Sequence, residues 1–177
     1  INVKKPRIYV KRKTRYGKAM EIKQKFVYTI GGISAKKIAY FVEASRTKTN
    51  SIFNSLLYKI ETRLDVILYR INIVQSPFYI KKLLKFGYIE VDEDPVYSYN
   101  YSVPYASKVD VKLPIYAIKR YQHEFEVVLR RKLVFIPFTE YLEISYATFR
   151  SIMYTLPDDD TTFYPFDFKP NYFFRLY

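Results

Sequence analysis

The 177-residue sequence lacks cysteine and tryptophan and contains one histidine, His123. Without cysteine the chain can form no disulfide framework, thiol nucleophile or thiolate zinc site. A single histidine excludes a multi-histidine metal centre and leaves little material for histidine-dependent acid–base catalysis. No uncharged apolar run approaches the roughly 18 residues of a membrane-spanning helix. We therefore expect a soluble chain with no membrane partner, no cofactor and no metal.

Glycine is scarce, and the scarcity is part of a wider bias. Gly, Ala, Arg and Pro together contribute 31 residues, whereas Phe, Tyr, Met, Ile, Asn and Lys contribute 79. The first group has GC-rich codons and the second has AT-rich codons. This pattern indicates an AT-biased genome of the kind that organelles often have. About half of the residues are hydrophobic, enough to build the core of one ordinary domain or two small ones.

The net charge of +13 is concentrated near the N terminus. Residues 1–50 contain 14 Lys and Arg but two acids, so they carry +12, and the remaining residues carry +1. Such a block repels itself and is typically neutralised by a polyanion. We predict a nucleic-acid-binding arm that orders on binding, with contacts from Lys11, Arg12, Lys13, Arg15, Lys23 and Lys25. A solvated arm without a partner is one alternative, and a cleaved transit peptide is another, although residues 1–25 lack the serines typical of one.

The first third of the chain predicts helices separated by breaks. Pro6 and Gly17 favour extended or looped backbone in the arm. A helix is predicted over residues 33–44, because Ile38, Phe41 and Val42 recur at helical spacing. A second helical stretch over 52–57 leads into residues 58–72, where the apolar residues fall within an 80° arc. On that helix Lys59, Arg63 and Arg70 lie on one flank, which predicts a basic ridge beside a packed seam.

Residues 76–113 predict a helix followed by two strands. Ser76 and Pro77 are a typical helix start, and Gly87 is a typical stop. We expect Ile80, Leu83 and Leu84 to be buried and three lysines to point outward: Lys81, Lys82 and Lys85. Strands are predicted over 88–91 and 109–113, with a turn at 92–95. Beyond them we predict a helix over 115–133, a strand over 134–144 and a tail of loops with a short final helix.

Several motifs now resemble one known family, the small-subunit ribosomal protein four family. Its E-x-R-L-D…Y-R signature is similar to Glu61-Thr62-Arg63-Leu64-Asp65 followed by Leu68-Tyr69-Arg70. Upstream, Lys23-Gln24-Lys25 resembles a K-Q-K segment of the family, and downstream Pro137 with Tyr141-Leu142-Glu143 resembles its P-x-W-L-E element. The ending Arg175-Leu176-Tyr177 is similar to its final E-x-Y. The resemblance spans about 150 residues.

The sequence departs from the family pattern at several positions. Pro77 replaces an arginine that would contact RNA, and Phe86 replaces a frequent histidine. Asp92 and Glu93 place carboxylates in a turn where the family has neutral residues. The family's zinc-binding cysteines have no counterpart here.

The resemblance implies an α+β fold with an interrupted first domain. Residues 1–57 would form a basic arm and a helical domain completed by 149–177. Residues 58–148 would form an inserted helix-turn-helix-strand RNA-binding domain carrying a small antiparallel sheet. The implied function is that of a structural, non-enzymatic constituent of the small ribosomal subunit, in the mitochondrion or, as second choice, the plastid. Its implied partners are the 5′ domain of small-subunit rRNA, neighbouring ribosomal proteins and mRNA near the channel through which mRNA enters.

RNA presents phosphates and 2′-hydroxyls, because its deep major groove is closed to side chains. Arg63 and Arg70 are predicted to fork onto phosphates, although Asp65 could instead pair with Arg63. The other predicted contacts outside the arm are Lys59, Ser76, Lys81, Lys82 and Lys85. If about eight of all these cations meet phosphates, log K should fall with log salt at a slope of about −6 to −7.

Three other functions fit the sequence less well than a structural ribosomal protein. The same RNA-binding module occurs in RNA-modifying enzymes, but these need a separate catalytic domain, which we do not expect in the roughly 60 residues that follow the predicted strand over 109–113. A stand-alone ribosome-associated RNA binder is a further alternative. The acidic run Asp158-Asp159-Asp160 could suggest a hard metal, but three adjacent carboxylates after a proline are more typical of a solvated loop.

Overall fold

The computed structural model describes residues 13–31, 33–46, 51–71, 77–114, 118–119, 123, 139–162, 164, 166–174 and 176–177. These residues form six helices and one five-stranded antiparallel sheet, which confirms the predicted α+β class. The helices are α1 Arg15–Thr29, α2 Ala35–Arg46, α3 Ile52–Glu61, α4 Leu64–Arg70, α5 Pro77–Lys85 and α6 Pro170–Phe174. The strands are β1 Ile89–Val91, β2 Asp94–Pro95, β3 Lys108–Val111, β4 Leu142–Ser145 and β5 Arg150–Met153. None of these helices is long and apolar enough to cross a bilayer.

Helix α1 corrects the expectation of looped backbone around Gly17. Thr14 caps the helix, since its Oγ1 accepts a hydrogen bond from the Gly17 N–H at 3.1 Å. Phe26 near the other end is fully buried, with its ring centroid 5.0 Å from that of Phe173 in α6. Tertiary packing therefore stabilises a helix that local sequence alone does not favour. Lys23 lies on this helix, so it is not part of an arm that orders only on binding.

The predicted continuous helix over 58–72 is wrong, because the chain breaks between α3 and α4 at residues 62 and 63. The Val103 N–H donates to the Thr62 carbonyl at 2.8 Å, and the Leu64 N–H donates to the Tyr101 carbonyl at 2.9 Å. Hydrogen bonds to a distant segment thus replace helical ones at this point. Residues before and after the break therefore do not share one helical period, and Arg63 and Arg70 both belong to the α4 side.

Helix α5 and the hairpin after it follow the predicted pattern. Ile80, Leu83 and Leu84 are buried, and Gly87 ends the helix in the left-handed region with φ +71°. The turn between β1 and β2 places Asp92 and Glu93 at φ +51° and +75°. Two successive positive φ angles are typical of the tight turn that joins two antiparallel strands.

The sheet has the order β2-β1-β3-β5-β4, with all neighbours antiparallel. Its inner face packs on α4 and α5 in one hydrophobic core that includes Leu68, Ile80, Val91, Val109 and Met153. Strand β5 begins at Arg150, beyond the proposed domain boundary at residue 148, so that boundary would divide the β4–β5 hairpin. The division into two domains otherwise stays a prediction.

A second hydrophobic core joins α1, α2 and α3 to the C-terminal tail. It contains Phe26, Ile38, Ile60 and Phe173, and the tail adds further aromatic rings around them. Helix α2, predicted over 33–44, occurs two residues later and buries Ile38 and Val42 as expected.

The remaining predictions fall largely outside the described part of the chain. Of the predicted helix over 115–133, the structure describes residues 118, 119 and 123, which are helical. Of the predicted strand over 134–144, the described end overlaps β4. The predicted short final helix corresponds to α6.

Candidate nucleic-acid interface

The lysines of α5 form an exposed positive face. Lys81, Lys82 and Lys85 are exposed, on the side of the helix opposite the buried Ile80 and Leu83. None of the three forms an ion pair with a carboxylate of the described residues. We call them the α5 lysine face. Because their charge is not neutralised within the described part of the protein, they are suited to bind an external anion.

Beside this face lies a cleft of about 170 Å³, which we call the Tyr99 cleft. Its charged and aromatic lining consists of Lys37 from α2, Arg63 and Asp65 around the start of α4, Lys81 from α5, and Tyr99 from the loop before β3. The ammonium nitrogens of Lys37 and Lys81 lie 5.6 and 5.4 Å from the centroid of the Tyr99 ring. The cleft thus brings together cations from separate parts of the chain.

The electrostatics of the Tyr99 cleft leave it positive. Arg63 is held by Asp65, with Nε and one terminal nitrogen donating to the carboxylate at 3.0 and 2.6 Å. That pair is internally neutral, whereas Lys37 and Lys81 add two positive charges. Burial lowers the pKa of Lys37, the nearby Arg63 guanidinium lowers it further, and Asp65 opposes both effects. An anion in the cleft would favour the charged form of Lys37.

Arg63 is therefore less available to RNA than the sequence predicts. Its side chain is 4% exposed, and its guanidinium lies 5.7 Å from the Phe41 ring. The pairing with Asp65, which the sequence left open, is what the structure has. Arg63 reaches the lining of the cleft but donates mainly within the protein.

Arg70 is not on a basic ridge. Its side chain is fully buried, and its Nε and a terminal nitrogen donate to Glu61 at 3.1 and 2.6 Å. The same carboxylate accepts hydrogen bonds from the Tyr141 and Tyr164 hydroxyls, both at 2.8 Å. A guanidinium so enclosed cannot contact a phosphate, so the prediction of an exposed Arg70 is wrong. Arg70 lies instead on the buried side of α4, where it meets Glu61 of α3.

The Glu61 carboxylate offsets the effect of burial on Arg70. Burial alone would lower the pKa of Arg70, but the Glu61 carboxylate raises that pKa above the ordinary value of a guanidinium. Burial raises the pKa of the Tyr141 and Tyr164 hydroxyls well above its ordinary value, and the Glu61 charge raises it further. Both phenols therefore remain donors to the carboxylate. This arrangement joins α3, α4, the sheet and the tail, and we call it the Glu61 cluster.

Lys59 also has an internal role. Its Nζ donates to the Ala44 carbonyl at 2.6 Å, and its side chain is half-buried. The hydrogen bond connects α3 to the end of α2. The predicted ridge of Lys59, Arg63 and Arg70 is thus replaced by three separate internal contacts.

The N-terminal cations that the structure describes lie along and just before α1, and most of them are exposed. Lys13 and Lys25 both pair with Glu21, at 2.6 and 3.0 Å, while Arg15 is exposed. The Nζ of Lys23 lies 4.6 Å from the centroid of the Tyr177 ring. Three predicted contacts, Lys11, Arg12 and Ser76, lie outside the described residues.

The outer face of the sheet has a different electrostatic character. Asp110 accepts from Arg150 Nε at 2.7 Å and pairs with Lys108 at 3.2 Å, and Lys112 pairs with Glu90 at 2.6 Å. Burial would raise the pKa of Asp110, but hydrogen bonds from Arg150 and Lys108 hold it below its ordinary value. Each of these three cations therefore has a carboxylate partner within the protein, with Lys108 and Arg150 sharing Asp110. An anion would meet a positive surface on the helical side.

Sequence reasoning missed Lys37 and Tyr99. Lys37 lies within the helix predicted over 33–44, but its approach to α5 depends on tertiary contacts. Tyr99 belongs to a run of alternating tyrosines, Tyr97, Tyr99 and Tyr101, all exposed. Exposed aromatic residues in a basic protein are a signal for nucleic-acid binding, which could have directed attention to this loop.

Comparison with known proteins gives ribosomal relatives. No family model matches the chain. It is 26% identical to the small ribosomal subunit protein uS4m of Reclinomonas americana over 164 residues, covering 92% of this chain and 66% of the relative. It is also 26% identical to uS4 of Methylorubrum populi over 164 residues, covering 92% and 76%. A third relative, uS4c of Bigelowiella natans, is 33% identical over 88 residues, covering 50% of this chain and 45% of the relative.

The chain thus spans just under two thirds of the length of the mitochondrial relative. One of these relatives is mitochondrial and another is a chloroplast protein, which agrees with the organellar placement expected from the sequence. The matches to uS4m and to the bacterial protein cover nearly the whole chain, so they extend well beyond the motifs that carried the resemblance. The chain is therefore similar along nearly its whole length to uS4 proteins of the small ribosomal subunit, the family that its sequence motifs resemble.

Proposed function

We propose that this chain is a structural constituent of the small ribosomal subunit, in the mitochondrion rather than the plastid. It binds the 5′ domain of small-subunit rRNA through phosphates and shape, and so supports subunit assembly. Its further partners are neighbouring ribosomal proteins and mRNA near the channel through which mRNA enters. The chain performs no catalysis in this role.

The observation that carries this proposal is the asymmetry of charge. Lysines on α5 have no carboxylate partner among the described residues, whereas Lys108, Lys112 and Arg150 on the sheet are paired with acids. Non-specific electrostatic attraction to RNA scales with the phosphates that a protein neutralises. Unpaired cations neutralise phosphates without first breaking an internal ion pair, so the helical side is the favoured contact surface.

The names of the relatives support a ribosomal protein over an RNA-modifying enzyme. The alignments to these small-subunit ribosomal proteins cover 92% of this chain, including the segment that resembles an RNA-binding module. In an RNA-modifying enzyme the module would be joined to an unrelated catalytic domain. The relation to uS4 outside the module favours a structural protein.

The proposed contact residues are revised accordingly. They are the α5 lysine face, Lys37 and the N-terminal cations Lys11, Arg12, Lys13, Arg15, Lys23 and Lys25. Ser76 remains a predicted contact. Arg70 is removed because it is buried, and Lys59 and Arg63 are secondary because their polar groups donate within the protein.

Binding to two rRNA transcripts tests the function. We would measure affinity for the 5′ domain and for a 3′ domain of similar length from a mitochondrial small-subunit rRNA, over a series of salt concentrations. The 5′ domain should bind more tightly. Replacing Lys81, Lys82 and Lys85 by alanine should weaken binding and make the salt slope shallower by about 2 to 3, because each phosphate contact contributes about 0.7 to 0.9.

The matched control replaces Lys108, Lys112 and Arg150 by alanine, which removes the same charge from the sheet. This variant should keep most of the affinity and the slope. Equal losses in the two triple variants would contradict the assignment of the contact surface. Equal affinity for the two transcripts, or recovery of the protein with large subunits alone, would contradict the proposed function.

A further inference from the structure

The Tyr99 cleft contains more than a positive patch, because an accessible aromatic ring lies beside two lysines that form no ion pair with the described residues. Tyr99 is 43% exposed. Lys37 and Lys81 both approach its ring, as described above, and the Lys37 ammonium donates a hydrogen bond to the side-chain oxygen of Asn100. Two cations beside one exposed aromatic ring match the two parts of a nucleotide, which has an anionic phosphate and a flat base.

A paired base cannot use this arrangement. In a double helix both faces of each base are covered by its neighbours, and RNA-binding proteins read bases mainly where strands are unpaired and bases can turn outward. Aromatic side chains then stack on the exposed base with little dependence on sequence. The flexible four-carbon stems of Lys37 and Lys81 allow their ammonium groups to leave the ring and follow the phosphate.

The alternative of a purely internal role does not account for the charge. Asp65 is occupied by Arg63 and by the Val66 N–H, which donates to it at 3.0 Å. Lys37 and Lys81 form no ion pair with the described residues, and Asn100 offers Lys37 a neutral acceptor. Cations collected around a ring without a counterion favour an anionic ligand.

We propose that the Tyr99 cleft binds one unpaired nucleotide of the RNA, with its phosphate between Lys37 and Lys81 and its base stacked on Tyr99. This inference rests on the proposed function, since it names the element of RNA structure that the protein selects. The α5 lysine face would hold flanking backbone phosphates without regard to pairing. The cleft would place the protein at a bulge or junction.

The probe is an RNA duplex of 20 base pairs with one bulged 2-aminopurine nucleotide at its centre, compared with the same duplex without the bulge. The full chain should bind the bulged RNA about tenfold more tightly, as expected for one stacked base, and 2-aminopurine fluorescence should fall on binding. Tyr99→Leu should abolish the preference and the fluorescence change, while Tyr99→Phe should keep both. Affinity for the paired duplex should be the same in all three proteins.

Two controls separate the cleft from general effects. Tyr105→Leu removes another exposed tyrosine of the same loop, and Lys36→Ala removes the exposed lysine next to Lys37. Both should keep the bulge preference, whereas Lys37→Ala should reduce it. Thermal unfolding would confirm that every variant is folded at the assay temperature.

The outcomes distinguish this inference from the proposed function. If RNA binds but Tyr99→Leu retains the full bulge preference, or if the wild type shows none, the nucleotide cleft is refuted and the phosphate surface stands. If neither the duplexes nor the rRNA transcripts bind, the proposed function itself fails, and the inference fails with it.

Discussion

We predict that the Glu61 cluster stabilises the fold, and the substitution Glu61→Gln tests this. In the native protein one carboxylate accepts two hydrogen bonds from Arg70 and one each from Tyr141 and Tyr164. Glutamine has nearly the same shape but no charge. It leaves the Arg70 guanidinium buried without a counterion, and its NH₂ group faces groups that are themselves donors.

The magnitude follows from the burial of the pair. Both side chains have an exposed fraction of 0%, so solvent cannot replace the lost carboxylate. Removing one partner of a buried ion pair costs about 3 to 5 kcal/mol. For a protein of this size each kcal/mol lowers Tm by about 2 to 4 °C, so we expect a decrease of about 6 to 20 °C.

The assay is thermal and urea unfolding at pH 7, with Glu43→Gln as the matched control. Glu43 pairs with Arg46 on the surface of α2 at 3.3 Å, and its side chain is 74% exposed. Removing that charge should change the free energy of unfolding by less than about 1 kcal/mol. If Glu61→Gln were as mild as Glu43→Gln, the structural reading of the cluster would be refuted.

A second substitution separates stability from RNA contact. Arg70→Met should destabilise the fold, but at a temperature where the variant is folded it should bind the 5′ domain with nearly wild-type affinity. A loss of more than about tenfold in the folded variant would restore Arg70 as a phosphate contact, and would contradict its burial.

Two further predictions concern local structure. Asp158 accepts hydrogen bonds from the Thr161 hydroxyl and N–H, which lower its pKa. Its folded pKa lies below its unfolded value, so its stabilisation is present above the ordinary carboxyl range and is lost as pH falls through the folded pKa. In urea unfolding, the stability difference between wild type and Asp158→Asn should therefore shrink from pH 7 to pH 3, whereas a constant difference would contradict the assignment. Gly87→Ala should lower Tm by about 5 °C, because a left-handed residue with a side chain costs about 1 to 2 kcal/mol. The new Cβ would also lie 3.2 Å from Tyr97. An unchanged Tm would argue against the left-handed helix end.

The parts of the fold that depend on neighbouring residues could be predicted from the sequence. Helix α5 is the clearest case, since its start, its buried face, its outward lysines and its stop at Gly87 are all encoded within about a dozen residues. The β1 strand and the tight turn after it are similar. These features rest on capping, helical period and glycine conformation, none of which needs a distant partner.

The errors arise where distant residues decide the structure. The break at Thr62 and Arg63 is set by hydrogen bonds to residues 101–103, and periodicity cannot detect such bonds. Extending one helical period across the break placed Arg63 and Arg70 on a shared exposed flank, when one is paired at the cleft and the other is buried. Helix α1 was missed because Gly17 suggested a loop, whereas the cap from Thr14 and the burial of Phe26 stabilise the helix.

In the candidate site, too, some residues could be predicted from the local sequence and others depend on distant contacts. Its α5 lysines follow from the local pattern, but Lys37 and Tyr99 join them only because α2 and the loop before β3 pack near α5. Neither residue carries a motif that marks it. Charge distribution predicted that the chain binds a polyanion, and tertiary structure was needed to propose a surface for it.

The central claim is that the helical side of this protein contacts small-subunit rRNA. Crosslinking of RNA to protein in purified mitochondrial small subunits, followed by mass spectrometry of the crosslinked peptides, tests it most directly. We expect crosslinks between nucleotides of the 5′ domain and the peptides that contain Lys37 and Lys81 to Lys85. Small subunits that lack the chain, or crosslinks confined to the peptides around Lys108, Lys112 and Arg150, would contradict it.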